Sequence, residues 1–144
     1  DTDRLIDAMP GASEALRALA RRGVARSFPK GRVLIDEGEV GDTMLIILAG
    51  RLCAFAEGDN GREIVYGSYG PGEYLGEMSL DGGPRSASVK ALERGVCVAV
   101  NRRTIEQHIA EHPEFAFELL AKVIRRARAA TLSARQMALN DVYG

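Results

Sequence analysis

Residues Gly72–Val89 read GEYLGEMSLDGGPRSASV, and the fold turns on how this stretch is taken. It lies between two β-prone runs, Glu63–Tyr69 and Ser86–Leu92, yet Glu77–Leu80 is not strand-like and fits a single helical turn. Gly76, just before that turn, lets backbone approach another group closely. The turn then starts with unpaired N–H groups whose dipoles favour an anion. Arg85 follows a Gly-Gly-Pro loop that can hold it beside the turn. Its planar fork donates two parallel charged hydrogen bonds, which suits a phosphate. A carboxylate at Glu77 would repel that phosphate, so its natural partner is a hydroxyl on the same molecule. Ser86 and Ala87 can add a hydroxyl and backbone N–H groups. One anion beside one hydroxyl describes a ribose phosphate. The bland alternative is a turn in which Glu77 and Arg85 pair with each other.

Outward from this stretch, short β-prone runs are cut by glycine-rich turns from Val24 to about Val100. The runs are Val24–Phe28, Val33–Asp36, Thr43–Ala49, Arg51–Ala56, Glu63–Tyr69, Ser86–Leu92 and Val96–Val100. Their spacing predicts a mainly β protein with flanking helices, an antiparallel jelly-roll barrel or sandwich. Upstream, Ser13–Arg22 predicts a short amphipathic helix with Ser13 as cap and Gly23 as stop. Downstream, Arg102–Glu111 predicts another, and Pro113 opens a long helix running to about Met137 without an internal Gly or Pro. Leu120, Ala127 and Ala134 recur every seven residues there, as do Ile124, Thr131 and Ala138. That repeat marks a helix–helix seam and predicts a homodimer. Arg125, Arg126, Arg128 and Arg135 lie off the seam on an outer, solvated face, unless one of them reaches a bound ligand.

The 144 residues are 46% hydrophobic and 27% charged with net charge −1. This fits one globular domain and offers no global basic field for nucleic acid. No apolar stretch approaches the roughly 18 residues of a membrane span, and no secretory signal is present, so a cytoplasmic protein is expected. Cys53 and Cys97 sit in apolar runs and read as buried thiols; two are too few for a thiolate metal site. His108 and His112 stand four apart beside Glu111, but the HExxH order is missing and no third ligand converges. The β region Val24–Val100 contains no histidine, which disfavours a metal-holding enzyme on a similar barrel. Phosphate-loop and nucleophile-elbow motifs are lacking too, so no catalytic residue is assigned.

GEMSL and GGPRSASV resemble the phosphate-binding cassette of cyclic-nucleotide-binding domains. The Gly38-Glu39, Gly41-Asp42 and Gly50 run and the Gly70-Pro71-Gly72-Glu73 turn are similar to the same family. Within it, the chain looks most like the bacterial transcription regulators typified by the cAMP receptor protein. The resemblance implies Glu77 on the ribose 2′-hydroxyl and Arg85 on the cyclic phosphate. It also implies Gly76, Met78, Ser79, Ser86 and Ala87 around them. Where the family often has two adjacent hydroxyl residues facing the base, this chain has Ala130-Thr131, leaving the Thr131 hydroxyl. The cassette is one residue shorter than its commonest form, between Leu80 and Gly82, which predicts an altered turn.

The expected organisation is a binding barrel with short flanking helices over 1–112 and a dimerisation helix over 113–138. The start of a hinge is expected over 139–144, leading to a helix-turn-helix domain absent from this chain. The expected ligand is cAMP, with cGMP as the alternative, and no cofactor. DNA would be met only through the absent domain. A channel or kinase regulatory module, or an interaction domain that has lost its ligand, are the rival readings.

Overall fold

The computed structural model describes residues 1–143, apart from the side chains of Met78 and of residues 140–143. Six strands are formed: β1 (Val24–Phe28), β2 (Val33–Ile35), β3 (Met44–Glu57), β4 (Glu63–Tyr69), β5 (Tyr74–Leu75) and β6 (Ser88–Val100). Four α-helices flank them: α1 (Thr2–Asp7), α2 (Glu14–Ala20), α3 (Arg102–Glu111) and α4 (Glu114–Tyr143). A 3₁₀ turn, Glu77–Asp81, stands between β5 and β6 where a helical turn was expected. Every strand pair is antiparallel, in the order β1-β6-β3-β4, with β2 on β6 and β5 on β3. The antiparallel class read from the spacing of the runs is therefore the one observed.

Two glycines explain why the seven expected runs form only five strands, β5 being the sixth. Gly50 was expected to end one strand and start another, but β3 passes straight through it at φ +85°. A Cβ on Gly50 would lie 2.6 Å from the Arg94 carbonyl oxygen, and one on Gly95 only 2.0 Å from that of Ala49. The two backbones touch there, so β3 and β6 bend together instead of breaking. The β6 runs Ser86–Leu92 and Val96–Val100 are joined in the same way. The register shifts on both sides of Gly50, which also reverses the side-chain alternation. Met44, Ile46 and Leu48 face the helical core with Ile6, Leu16, Leu19, Ile105 and Phe115. Leu45 and Ile47 face a second cluster, which Leu52 joins after the bend along with Ile35, Leu75 and Val89.

Ser13 caps α2 as predicted, its hydroxyl accepting from the Leu16 N–H at 3.0 Å. The same hydroxyl donates to Glu118 at 2.8 Å, tying α2 to α4. Pro113 immediately precedes α4, and Phe115, fully buried, anchors the first turn against Tyr74 and His108. The segment expected to start a hinge, from Leu139, is helical: α4 continues to Tyr143, and 139–143 contains no Gly or Pro to stop it. Gly144 lies outside the described residues. α1 and β5 were not foreseen. Among the described residues no helix is long and apolar enough to cross a membrane.

Candidate binding site between the glycine-rich turn and the long helix

β5 delivers the chain to Gly76, which adopts φ +97°, a left-handed conformation that favours glycine. A Cβ there would sit 2.7 Å from the Thr43 carbonyl oxygen and 3.0 Å from Arg85 Nη1. The glycine thus makes room for the arginine as well as for the turn. Ser79 N–H closes the turn onto the Gly76 carbonyl at 3.2 Å.

Arg85 is fixed by its backbone first. Its N–H donates to the Glu39 carbonyl at 2.8 Å and its carbonyl accepts from the Gly38 N–H at 2.9 Å. The Gly38–Asp42 segment is therefore a rail for Arg85. The side chain is 8% exposed, and its guanidinium donates to the carbonyls of Thr43 at 2.8 Å and Gly76 at 3.4 Å. Burial presses the Arg85 pKa downward, opposed by the carboxylates of Asp42 and Glu39. An arginine nonetheless keeps its proton. No ion pair to Arg85 is formed among the described residues, so a buried cation stands ready for an anion.

Glu77 does not pair with Arg85. Its side chain is fully buried, with Oε1 ion-paired to Nη1 of Arg126 on α4. Oε2 is buried without a partner among the described residues. A carboxylate oxygen in that state needs a donor, and a ligand hydroxyl supplies one. Arg126 also donates to the Tyr74 carbonyl at 3.1 Å and lies 5.0 Å over the Tyr69 ring. Lys122, one turn earlier, donates to the same carbonyl at 2.7 Å and lies 3.4 Å over the Tyr74 ring. Burial, then Arg126, brings the Lys122 pKa down to about 8. The Tyr74 hydroxyl is pushed up, by burial first and by Glu118 next.

Glu77, Arg85, Arg126 and Tyr69 border a cavity of about 430 Å³, within the usual range for small-molecule sites. Gly76, Glu77, Ser79, Arg85, Ser86 and Ala87 all line it, forming its polar end. Ile35, Leu75 and Val89 carry it into the sheet, and Val123, Arg126, Ala127 and Ala130 of α4 cover it. The side chain of Met78 lies outside the described residues. Thr131 does not line the cavity: it is exposed, and its hydroxyl donates back to the Ala127 carbonyl at 3.0 Å. The single hydroxyl expected at the base therefore does not reach the cavity within this chain, where Ala130 presents a methyl.

Sequence reasoning had allowed one helix arginine to reach the site, and Arg126 is the one that lines it. Tyr66 and Tyr69, which also line it, were missed. Three apart on a strand, they belong to opposite faces by period-2 alternation, and only an irregularity in β4 brings both to the cavity. His108 belongs elsewhere. It is fully buried, its Nε2 lies 2.8 Å from the Ala15 carbonyl, and its ring stacks with His112 at 4.5 Å. Burial is the main cause of its lowered pKa. Both cysteines are free and buried.

Residues 25–112 match the family model described as cyclic nucleotide-binding domain. The CRP-like cAMP-activated global transcriptional regulator of Mycobacterium tuberculosis is 31% identical over 131 residues, 90% of this chain and 58% of that protein. The cyclic AMP receptor protein of Thermus thermophilus is 35% identical over 108 residues, 74% of this chain and 50% of that protein. The crystal structure of the Thermus thermophilus catabolite activator protein superposes with a TM-score of 0.80 at 30% identity, covering 93% of this chain and 63% of that one. The chain spans between 50% and 58% of the length of these two curated relatives.

Proposed function

Because the chain belongs to the cyclic nucleotide-binding domain family, we infer that it is a ligand sensor whose ligand is a cyclic purine nucleotide, cAMP before cGMP. The observation that carries this reading is one cavity bordered by two half-satisfied buried ions. Arg85 has no counter-ion among the described residues, and Glu77 Oε2 has no donor. A cyclic phosphate answers the first and the ribose 2′-hydroxyl the second. Ser86 and Ala87 border the same end and can add contacts to the phosphate. The relatives named for cAMP favour that nucleotide.

The sensing step then falls to α4. Arg126 holds Glu77 and the Tyr74 carbonyl from the helix, so a ligand that enters this network changes what the helix is held by. A ligand biases the helix only through its different affinity for two helix arrangements. α4 also bears an exposed strip with 3-4 spacing. It starts at Phe117, Leu120 and Ile124, which are 75%, 54% and 45% exposed, and continues through Ala127, Thr131, Ala134 and Ala138. A second copy pairing along this strip gives the homodimer. In this reading the sensor regulates transcription through a DNA-reading domain outside this chain, and it catalyses no reaction. Calorimetric titration with cAMP, cGMP and 5′-AMP tests the ligand. The expected result is binding of the cyclic forms and weak or no binding of 5′-AMP. Equal affinity for 5′-AMP and cAMP would overturn it.

A further inference from the structure

The nucleotide reading assigns partners to phosphate and ribose but leaves the base without one. On α4 the cavity is lined by Val123, Ala127 and Ala130, none with a hydrogen-bonding side chain, and by Arg126, whose guanidinium is already engaged by Glu77 and the Tyr74 carbonyl. The Thr131 hydroxyl is turned back onto its own helix. From the sheet side, Tyr66 of β4 lines the same cavity.

Tyr66 is there because β4 is irregular. Gly67 pairs with Ala54 and Val65 with Phe55, so Tyr66 is an extra residue opposite no partner. Regular alternation would place Tyr66 on the face away from Tyr69. A bulge of one residue re-aims it to the same side. The distortion gains no packing, since the Tyr66 ring is left 59% exposed. Its neighbour has other work. A Cβ on Gly67 would meet the Tyr69 hydroxyl at 2.9 Å, so the Tyr69 ring lies back along its own strand, and Arg126 sits over it at 5.0 Å. Of the two rings, Tyr69 packs within the protein and Tyr66 is free to meet a ligand.

We propose that Tyr66 is the base-recognition residue, its ring stacking on the purine of the bound nucleotide, in a site whose helix side reads no base edge. This rests on the cyclic-nucleotide reading and makes it specific. The site selects purines over pyrimidines by stacking area, and it separates adenine from guanine only weakly because a ring face serves both. The test is calorimetric titration of the wild type, Tyr66→Ala and Tyr66→Phe with cAMP, cGMP and cCMP, after circular dichroism of each variant. Tyr66 is mostly exposed, so both variants should fold. Tyr66→Ala is expected to lose about 10-fold for cAMP and cGMP and much less for cCMP, narrowing the purine preference, while Tyr66→Phe stays near wild type. In nuclear magnetic resonance spectra, the Tyr66 ring protons should move upfield when cAMP binds. Wild type that binds cAMP, with Tyr66→Ala binding all three nucleotides equally well as wild type, overturns the proposal and leaves the sensor reading standing. Tyr66→Phe losing as much as Tyr66→Ala overturns stacking in favour of the hydroxyl. Wild type that binds none of the three overturns both readings.

Discussion

Arg85 shows what one buried residue can reveal. Its guanidinium is held by carbonyl oxygens of Thr43 and Gly76, which orient a charge without neutralising it. Such a group is costly unless something else supplies the counter-charge. Arg85→Ala is expected to weaken cAMP binding by about 2–5 kcal/mol, the loss seen when one partner of a desolvated charge pair is removed. Calorimetry checks this, beside a thermal melt showing that the variant still folds; near-wild-type affinity would remove Arg85 from the phosphate. Gly76, Glu77 and Arg85 were legible in the sequence because their chemistry is local: a glycine before a turn, an acid on it, an arginine after a loop. Tyr66 was not legible, because its role depends on one unpaired residue in β4 and no local pattern marks that bulge. The Glu77–Arg126 pair was equally hidden, since 49 residues separate its members.

At the scale of elements, α4 does two jobs along its length. One side of its first half is packed: Phe115 is in the core, and Lys122 and Arg126 both donate to the Tyr74 carbonyl. Lys122 carries a pH signature. Its pKa falls to about 8 in the fold from an ordinary 10.5, mainly through burial. Arg126 and Arg125 push it further down, while Glu77 and Glu73 oppose them. The unfolded chain therefore holds more protons between those values, and this group makes stability rise with pH across that window. The Cys97 thiol, pushed up by burial to about 11, works in the opposite direction above pH 9. The clean measurement is thus a difference. Chemical denaturation of wild type and Lys122→Met from pH 7 to 10 should shift the gap in favour of wild type as pH rises. A constant gap would mean that Lys122 keeps an ordinary pKa. The other side carries the exposed strip from Phe117 onward, which was legible from Leu120 as a heptad repeat. Leu120→Glu, chosen because Leu120 is on the strip and does not line the cavity, should convert a dimer to monomer in sedimentation. A wild type that is already monomeric would sink the seam.

On the scale of the whole molecule, the antiparallel class and three of the four helices around it could be read from run spacing and breakers. The closure could not. It depends on Gly50 and Gly95 touching across β3 and β6, a contact between residues 45 apart in sequence that turns two expected strand breaks into one shared bend. That bend faces Leu45, Ile47 and Leu52 into one cluster with the cavity wall, and α4 lies across the opening. The molecule is then a bent antiparallel sheet enclosing a cavity with a polar end and an apolar interior, with a helix as its cover, so a ligand in the cavity would touch both parts. The central claim is that a cyclic ribonucleotide fills this space with its 2′-hydroxyl on Glu77. The most direct measurement is a paired titration of wild type and Glu77→Gln with cAMP and 2′-deoxy-cAMP. Wild type should prefer cAMP by about 1.5–3 kcal/mol, the worth of a hydrogen bond to a charged group, and Glu77→Gln should lose most of that preference. Equal affinity of wild type for the two nucleotides, or a preference untouched by Glu77→Gln, would contradict the account.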